Sequence, residues 1–258
     1  MTNPRRRRRP ARFTRRDFLA TFGLGGVAIT LAAACGGSEG SGVPAAPSTV
    51  PAEGAAATGG ASDTPVCVLT PEATEGPFYF DTEMLRRDIT EDRVGAPLTM
   101  GIRVMRVGET CEPLPDALVD IWHTDAGGAY SGYGGRPGGL DTSGETFLRG
   151  IQVTDGDGVA SFETIYPGWY PGRTVHIHFK VHHAGTTFAT SQFYFDDDTT
   201  DQVYLQTPYR DRPNRSTRND NDDVLRGDPA EANLLASVVE DGDGYAGTIT
   251  VGVAVPRG

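Results

Sequence analysis

His176 and His178 stand two residues apart in "TVHIHF" (174–179), and Tyr170 precedes the first of them by six residues. Side chains of a strand alternate between its faces. Two imidazoles at i and i+2 therefore point the same way, while Val175, Ile177 and Phe179 point the other. Imidazoles that converge on one point suit a metal ion. Tyr130, at the end of "DIWHTDAGGAY", and Tyr170, in the turn "PGWYPGR", are the further candidates. A free phenol has a pKa near 10, so it ligates well only where a strongly Lewis-acidic metal displaces its proton. Fe(III) takes phenolate as a hard anionic donor and imidazole as a borderline one. Two tyrosines and two histidines would hold ferric iron, the two anions offsetting much of its charge. The ordinary reading is that an H-x-H pair lies on a half-exposed strand and the tyrosines pack the core or rim of a sheet. Spacing alone leaves both readings open.

The elements that must position these residues are mostly strands. Segments 99–107, 117–123, 147–154, 158–165, 174–181, 188–195 and 247–255 are β-branched or aromatic runs, separated by turn sequences such as "GDG" and "PGG". Short strands at this spacing predict an all-β fold, an antiparallel β-sandwich with long loops and at most short helices. Short helices are expected around 201–206 and 229–239. The glycine-rich stretch 127–145 reads as a long loop over one end of the sandwich, where loops tend to carry function.

Residues 1–34 read as an export segment. They hold a run of arginines, then "TRRDFLATFGLGGVAITLAAAC", with paired Arg15 and Arg16 before a glycine- and alanine-diluted apolar stretch. This resembles a twin-arginine signal, and Ala32–Ala34 before Cys35 resemble a lipobox whose cysteine is lipidated. Residues 35–63 are rich in Gly, Ser, Ala, Pro and Thr and read as a disordered tether. Residues 64–258 are left for one domain. The expected location is the outer face of the cell membrane, through a lipid anchor alone, or the medium.

Residues 1–34 contain eight of the 23 basic residues and one of the 34 acidic ones, so the remainder has a formal net charge of −18. Such a surface disfavours nucleic acid as a partner. With Cys35 assigned to lipid, Cys67 and Cys111 are the two cysteines left in an oxidising compartment, and a disulfide between them is expected. Its closed loop would contribute about 4 kcal/mol on the chain-entropy account.

Four stretches in one order carry a resemblance. "TEGPFY" (74–79), "ALVDIWHTDAGGAYSGY" (117–133), "FLRGIQVTDGDGVASFETIYPGWYPGRTVHIHF" (147–179) and "TSQFYFDDD" (190–198) together resemble the intradiol ring-cleavage dioxygenase family. The resemblance implies a non-haem Fe(III) held by Tyr130, Tyr170, His176 and His178, with Tyr170 the ligand released when substrate binds. It implies that Arg173 lies beside the substrate ring, Gln192 near the iron and Tyr79 on the pocket wall. It also implies a catechol-type substrate, O2 as co-substrate and a muconate-type diacid product, with no organic cofactor. Tyr133 is the rival to Tyr130, three residues past the family's position.

The chain departs from the better-known members of that family in two places. Only five residues separate Tyr170 from His176, which resembles the secreted branch and predicts an iron more open to solvent and bulky phenols. No helical segment matches the dimerisation region of catechol 1,2-dioxygenases, so the oligomeric state is left open. A competing reading is a cell-surface β-sandwich binding module without turnover. A zinc or copper carrier using His176, His178, His182 and His183 leaves the two tyrosines unexplained. The acidic runs 155–158, 195–201, 219–223 and 241–244 lack the ligand spacing of a calcium loop and read as turns.

Overall fold

Alternation between apolar and polar residues builds two packed sheets. The computed structural model describes residues 68–134 and 140–256. Cys35, Cys67, the export segment and the tether lie outside the described residues. The first sheet contains β1 (Pro97–Arg106), β2 (Glu112–Pro113), β5 (Val159–Ile165), β8 (Ser237–Asp241) and β9 (Gly244–Val253). The second runs in the order β4 (Arg149–Val153), β3 (Leu118–Trp122), β6 (His176–His183) and β7 (Thr186–Tyr194). Leu98, Met100, Ile102 and Val104 of β1 face inward, against Ile177, Phe179 and Val181 of β6, Val119 and Ile121 of β3, and Phe193 of β7 in one apolar core.

The β-sandwich expected from the sequence is present, with differences that have physical causes. β1 and β9 pair in parallel, Ile102 opposite Ile249, whereas all other strand pairs are antiparallel. The second sheet lies between these two strands in sequence, so no tight hairpin dictates their direction. The helix expected at 201–206 starts earlier, as α1 (Asp197–Val203), because the Asp196 carboxylate accepts from the Thr199 amide as N-cap. The helix expected at 229–239 does not form. Residues 229–233 are turns, with Asn233 at φ +55°, and Ser237–Asp241 joins β9 as a hairpin closed by Gly242 and Asp243. Val238 and Val239 follow their β propensity once β9 offers an edge.

Two of the acidic runs are held by hydrogen bonds and ion pairs. Asp155 Oδ1 accepts the amides of Asp157 and Val159, and Asp197 and Asp201 pair with Arg215 and Arg218. Among the described residues, no helix is long and apolar enough to cross a membrane.

Candidate metal centre

The register of the second sheet sets the site. Residues directly opposite in an antiparallel pair share a face. His178 lies between Trp122 of β3 and Gln192 of β7, and His176 lies opposite Tyr194. All of these side chains occupy the sheet face turned away from the core, yet both histidines are buried, at 3 % and 1 % exposure. The cover comes from residues 71–80 and from the loop that returns after β3. Ala73 N donates to Thr190 O along the β7 edge, Thr74 O accepts from Gln192 Nε2, and Phe78 lies against Tyr130.

Two turns deliver the tyrosines. After β3, Asp125 O accepts from Gly128 N and the Asp125 carboxylate accepts from Ala129 N, which turns the chain back so that Tyr130 enters the covered face. Gly128 sits at φ +84°, where an added Cβ would stand 2.1 Å from Trp169 O, so no other residue fits there. Tyr170 and Arg173 occupy the first and last places of a turn closed by Arg173 N to Tyr170 O at 3.3 Å. Pro171 precedes Gly172 at φ +86°, as a type II turn requires. One four-residue turn thus presents two of the sequence-predicted site residues together.

Four polar groups meet at one ring nitrogen. His176 Nε2 lies 3.2 Å from His178 Nε2 and 3.3 Å from both Tyr130 Oη and Tyr170 Oη. Arg173 Nη1 stands 3.4 Å from the same atom. His176 Nδ1 donates to Thr174 O at 2.6 Å, which places its proton there and leaves Nε2 with a single lone pair. One lone pair cannot satisfy another imidazole and two phenols, and His178 Nδ1 is buried without a hydrogen-bond partner. The crowding makes poor sense as a hydrogen-bond network and good sense as a donor set around a cation. Among the described residues, no group of three or more His, Cys, Asp and Glu is placed to hold a metal, so a site here is complete only with both phenols.

The electrostatics agree with that donor set. Burial, then the Arg173 charge, pulls the His176 imidazole down to about 3, and burial with His176 holds His178 well below its ordinary value. Both rings are neutral and offer lone pairs at neutral pH. Burial and the Tyr170 oxygen hold the Tyr130 phenol well above 10. Burial also raises Tyr170, although Arg173 works against it. Each phenol keeps its proton until a strong Lewis acid displaces it. The Arg173 guanidinium loses from burial but gains more from Tyr170 and Asp222, so it stays charged.

The walls are aromatic. Phe78 stacks on Tyr130 with centroids 4.6 Å apart, and Trp122 stacks on His178 at 4.9 Å. Tyr79, expected on the pocket wall, packs one layer out against Trp122, with Lys180 Nζ 4.0 Å above its ring. Its neighbour Phe78 is the ring on the site. Tyr133 donates to Tyr79 O and packs edge-on to Phe78, so Tyr130 is the tyrosine that faces the histidines. Gln192 is fully buried and accepts from Arg173 Nη2. His182 and His183 lie at the far end of β6, where His182 pairs with Thr187.

Sequence reasoning missed Arg149, Phe78, Trp122 and Asp222. Arg149, 1 % exposed, donates through Nε and Nη2 to Ser131 Oγ and Ser131 O, both at 2.8 Å, which clamps the residue next to Tyr130. Its strand position between apolar residues gave no sign of that role.

Residues 74–209, more than half of the 258-residue chain, match the family described as Dioxygenase. The fold is similar to an intradiol ring-cleavage dioxygenase from Tetranychus urticae, at 31 % identity and TM-score 0.67 over 74 % of this chain and 98 % of that one. The chain belongs to the intradiol ring-cleavage dioxygenase family. Another similar structure is the dioxygenase domain of a dioxygenase carbohydrate-binding protein fusion from Streptomyces sp. SirexAA-E. It is 32 % identical, with TM-score 0.54, over 73 % of this chain and 100 % of that one. A chlorocatechol 1,2-dioxygenase of Pseudomonas putida is 29 % identical over 147 residues, 48 % of this chain and 53 % of that protein. This intradiol-family chain spans about half the length of the curated relatives it matches.

Proposed function

We propose that this chain is an exported, ferric intradiol dioxygenase that opens catechol-type rings between their two hydroxylated carbons. The observation that carries the reading is the meeting of Tyr130, Tyr170 and His178 on His176 Nε2, in a chain of this family. Tyr130, Tyr170, His176 and His178 would hold the metal. Bound there, ferric iron supplies a Lewis acid that makes both catechol hydroxyls acidic and renders the ring electron-rich toward O2. The ring gains both atoms of O2 and leaves as a muconate-type diacid, so no external reductant is needed.

The roles of the side chains follow from their surroundings. Tyr130 is 1 % exposed, clamped beneath Phe78, and suits a permanent ligand. Tyr170 sits on a turn and is partly exposed, so it can swing out and hold a substrate proton on its phenol oxygen. Arg173 Nη1 brings a fixed positive charge to the edge of the site, where negative charge on a bound ring would develop. Gln192 holds that guanidinium, while Trp122 and Phe78 keep water from the ligands. A binding module without turnover has no need of this charged arm.

The arginine pair and the lipobox-like Cys35 support export and anchoring. A Cys67–Cys111 disulfide is supported by Val68, whose carbonyl packs on Gly252, the partner of Met105 at the β2 end of β1. The reading is tested by incubating iron-loaded protein with catechol under 18O2. A ring-opened diacid carrying both labelled atoms is expected. Absence of product, or an aldehyde formed by cleavage outside the two hydroxyls, overturns it.

A further inference from the structure

Asp222 lies beyond the residues that match the family, in a run, "NDNDD", that reads as a solvated acidic loop. Its carboxylate is instead fully buried. Oδ2 accepts from Arg173 Nε at 2.9 Å and from the Thr174 amide at 2.7 Å. Oδ1 accepts from the amides of Val224 and Leu225 at 2.8 and 2.9 Å. One oxygen holds the loop and the other holds the arginine.

A guanidinium is a rigid planar fork, so fixing two of its nitrogens fixes the third. Asp222 takes Nε and Gln192 takes Nη2. Nη1 is then left aimed at the point where the tyrosines and histidines meet. The loop carrying Asp222 is itself anchored. Asn219 accepts from Thr174 Oγ1, donates to Phe195 O through Nδ2 and to Asp197 through its amide. Arg215, 8 % exposed, ties the same loop to Asp197 and Asp201 of α1.

We propose that Asp222 is a positioning residue, which sets the Arg173 guanidinium so that Nη1 faces the reacting ring. The inference rests on the function proposed above. It adds a carboxylate, supplied by a loop outside the family match, that makes the arginine an oriented charge rather than a mobile one.

The test uses iron-loaded wild type, Asp222→Asn, Arg173→Ala and the double variant, with Asp222→Ala as a harsher second substitution. Asparagine keeps the shape and one accepting oxygen, so the loop can still close. Asp222→Asn is expected to lower kcat for catechol about 100-fold, the scale of an ångström-level misplacement. KM should change far less and iron content should stay near wild type, while the melting temperature falls modestly because the Thr174 amide loses its acceptor. In the Arg173→Ala background the same substitution should change kcat by less than about 2-fold, because coupled groups are not additive. In iron-free, 15N-labelled protein the Arg173 Nε–H should exchange slowly in wild type and quickly in Asp222→Asn. An unchanged kcat in Asp222→Asn, an equal loss in the Arg173→Ala background, or a fast-exchanging wild-type Nε–H overturns the inference. A wild type that does not turn over catechol overturns both this inference and the function beneath it. Turnover by wild type with Asp222→Asn unaffected overturns this inference alone.

Discussion

The outward faces of the two sheets meet opposite fates. On the five-stranded sheet, Thr99 and Arg103 of β1, Glu163 of β5 and Thr248 of β9 point outward and are exposed. On the four-stranded sheet, the outward positions toward the His176 end carry Trp122, Arg149, His176, His178, Gln192 and Tyr194, and every one is buried, whereas Leu118 and Val153 at the other end of the same face are exposed. The inner faces of both sheets share one core. The difference is a third layer. Residues 71–80 and the loop carrying Tyr130 lie over the second sheet and convert a polar face into an enclosed one. Burial there makes histidines neutral and phenols hard to ionise, so the layer prepares the donors as well as hiding them.

The largest expected effect of breaking this contrast comes from the covered face. His178→Ala should abolish stoichiometric iron and lower catechol turnover by more than the 10–100-fold typical of losing an outer-shell partner. Metal analysis and product assay on the folded variant check it. Next comes the turn that brings in Tyr130. Gly128→Ala forces a side chain into a left-handed backbone against Trp169 O, and should destabilise the fold by about 1–3 kcal/mol in urea unfolding. Thr248→Val on the open face should change stability by no more than about 0.5 kcal/mol in the same measurement. Equal effects at Gly128 and Thr248 would erase the distinction between the faces.

A pH series sharpens the comparison from another side. His123 is pulled down to about 4 by burial, outweighing its bond to Thr124, and His176 is pulled down to about 3. Between those values and about 6.5 the unfolded chain binds protons that the folded chain refuses, so the iron-free protein loses stability as pH falls through that window. Asp120 works in the opposite sense. Burial raises it to about 7 despite the Tyr79 hydrogen bond, so its contribution is full below the ordinary carboxylate range and fades as pH rises toward 7. Asp120→Asn removes this opposing slope, and stability between pH 4 and 6.5 should then rise more steeply with pH than in wild type. An identical slope in unfolding curves would contradict the burial argument.

What the sequence made legible divides along the same line. Apolar alternation located seven strands, because the inner faces need only hydrophobic residues at period two. The last hairpin escaped, since "EANLLASVVED" has helical composition and becomes a strand only when β9 pairs with it. In the site, His176 and His178 declare themselves by spacing, whereas Tyr130 needed the family's motif order to be separated from Tyr133. Phe78, Trp122, Arg149 and Asp222 were invisible because their roles depend on the third layer and on register. Asp222 meets Arg173 across 49 residues, and nothing local distinguishes it from its acidic neighbours.

The most direct test of the central claim is the visible absorption spectrum of ferric-reconstituted protein, with iron content, before and after catechol is added without oxygen. The account predicts about one iron per chain and a broad phenolate-to-iron band, diminished in Tyr130→Phe and shifted by catechol. A protein that stays colourless and iron-free after ferric reconstitution would contradict it.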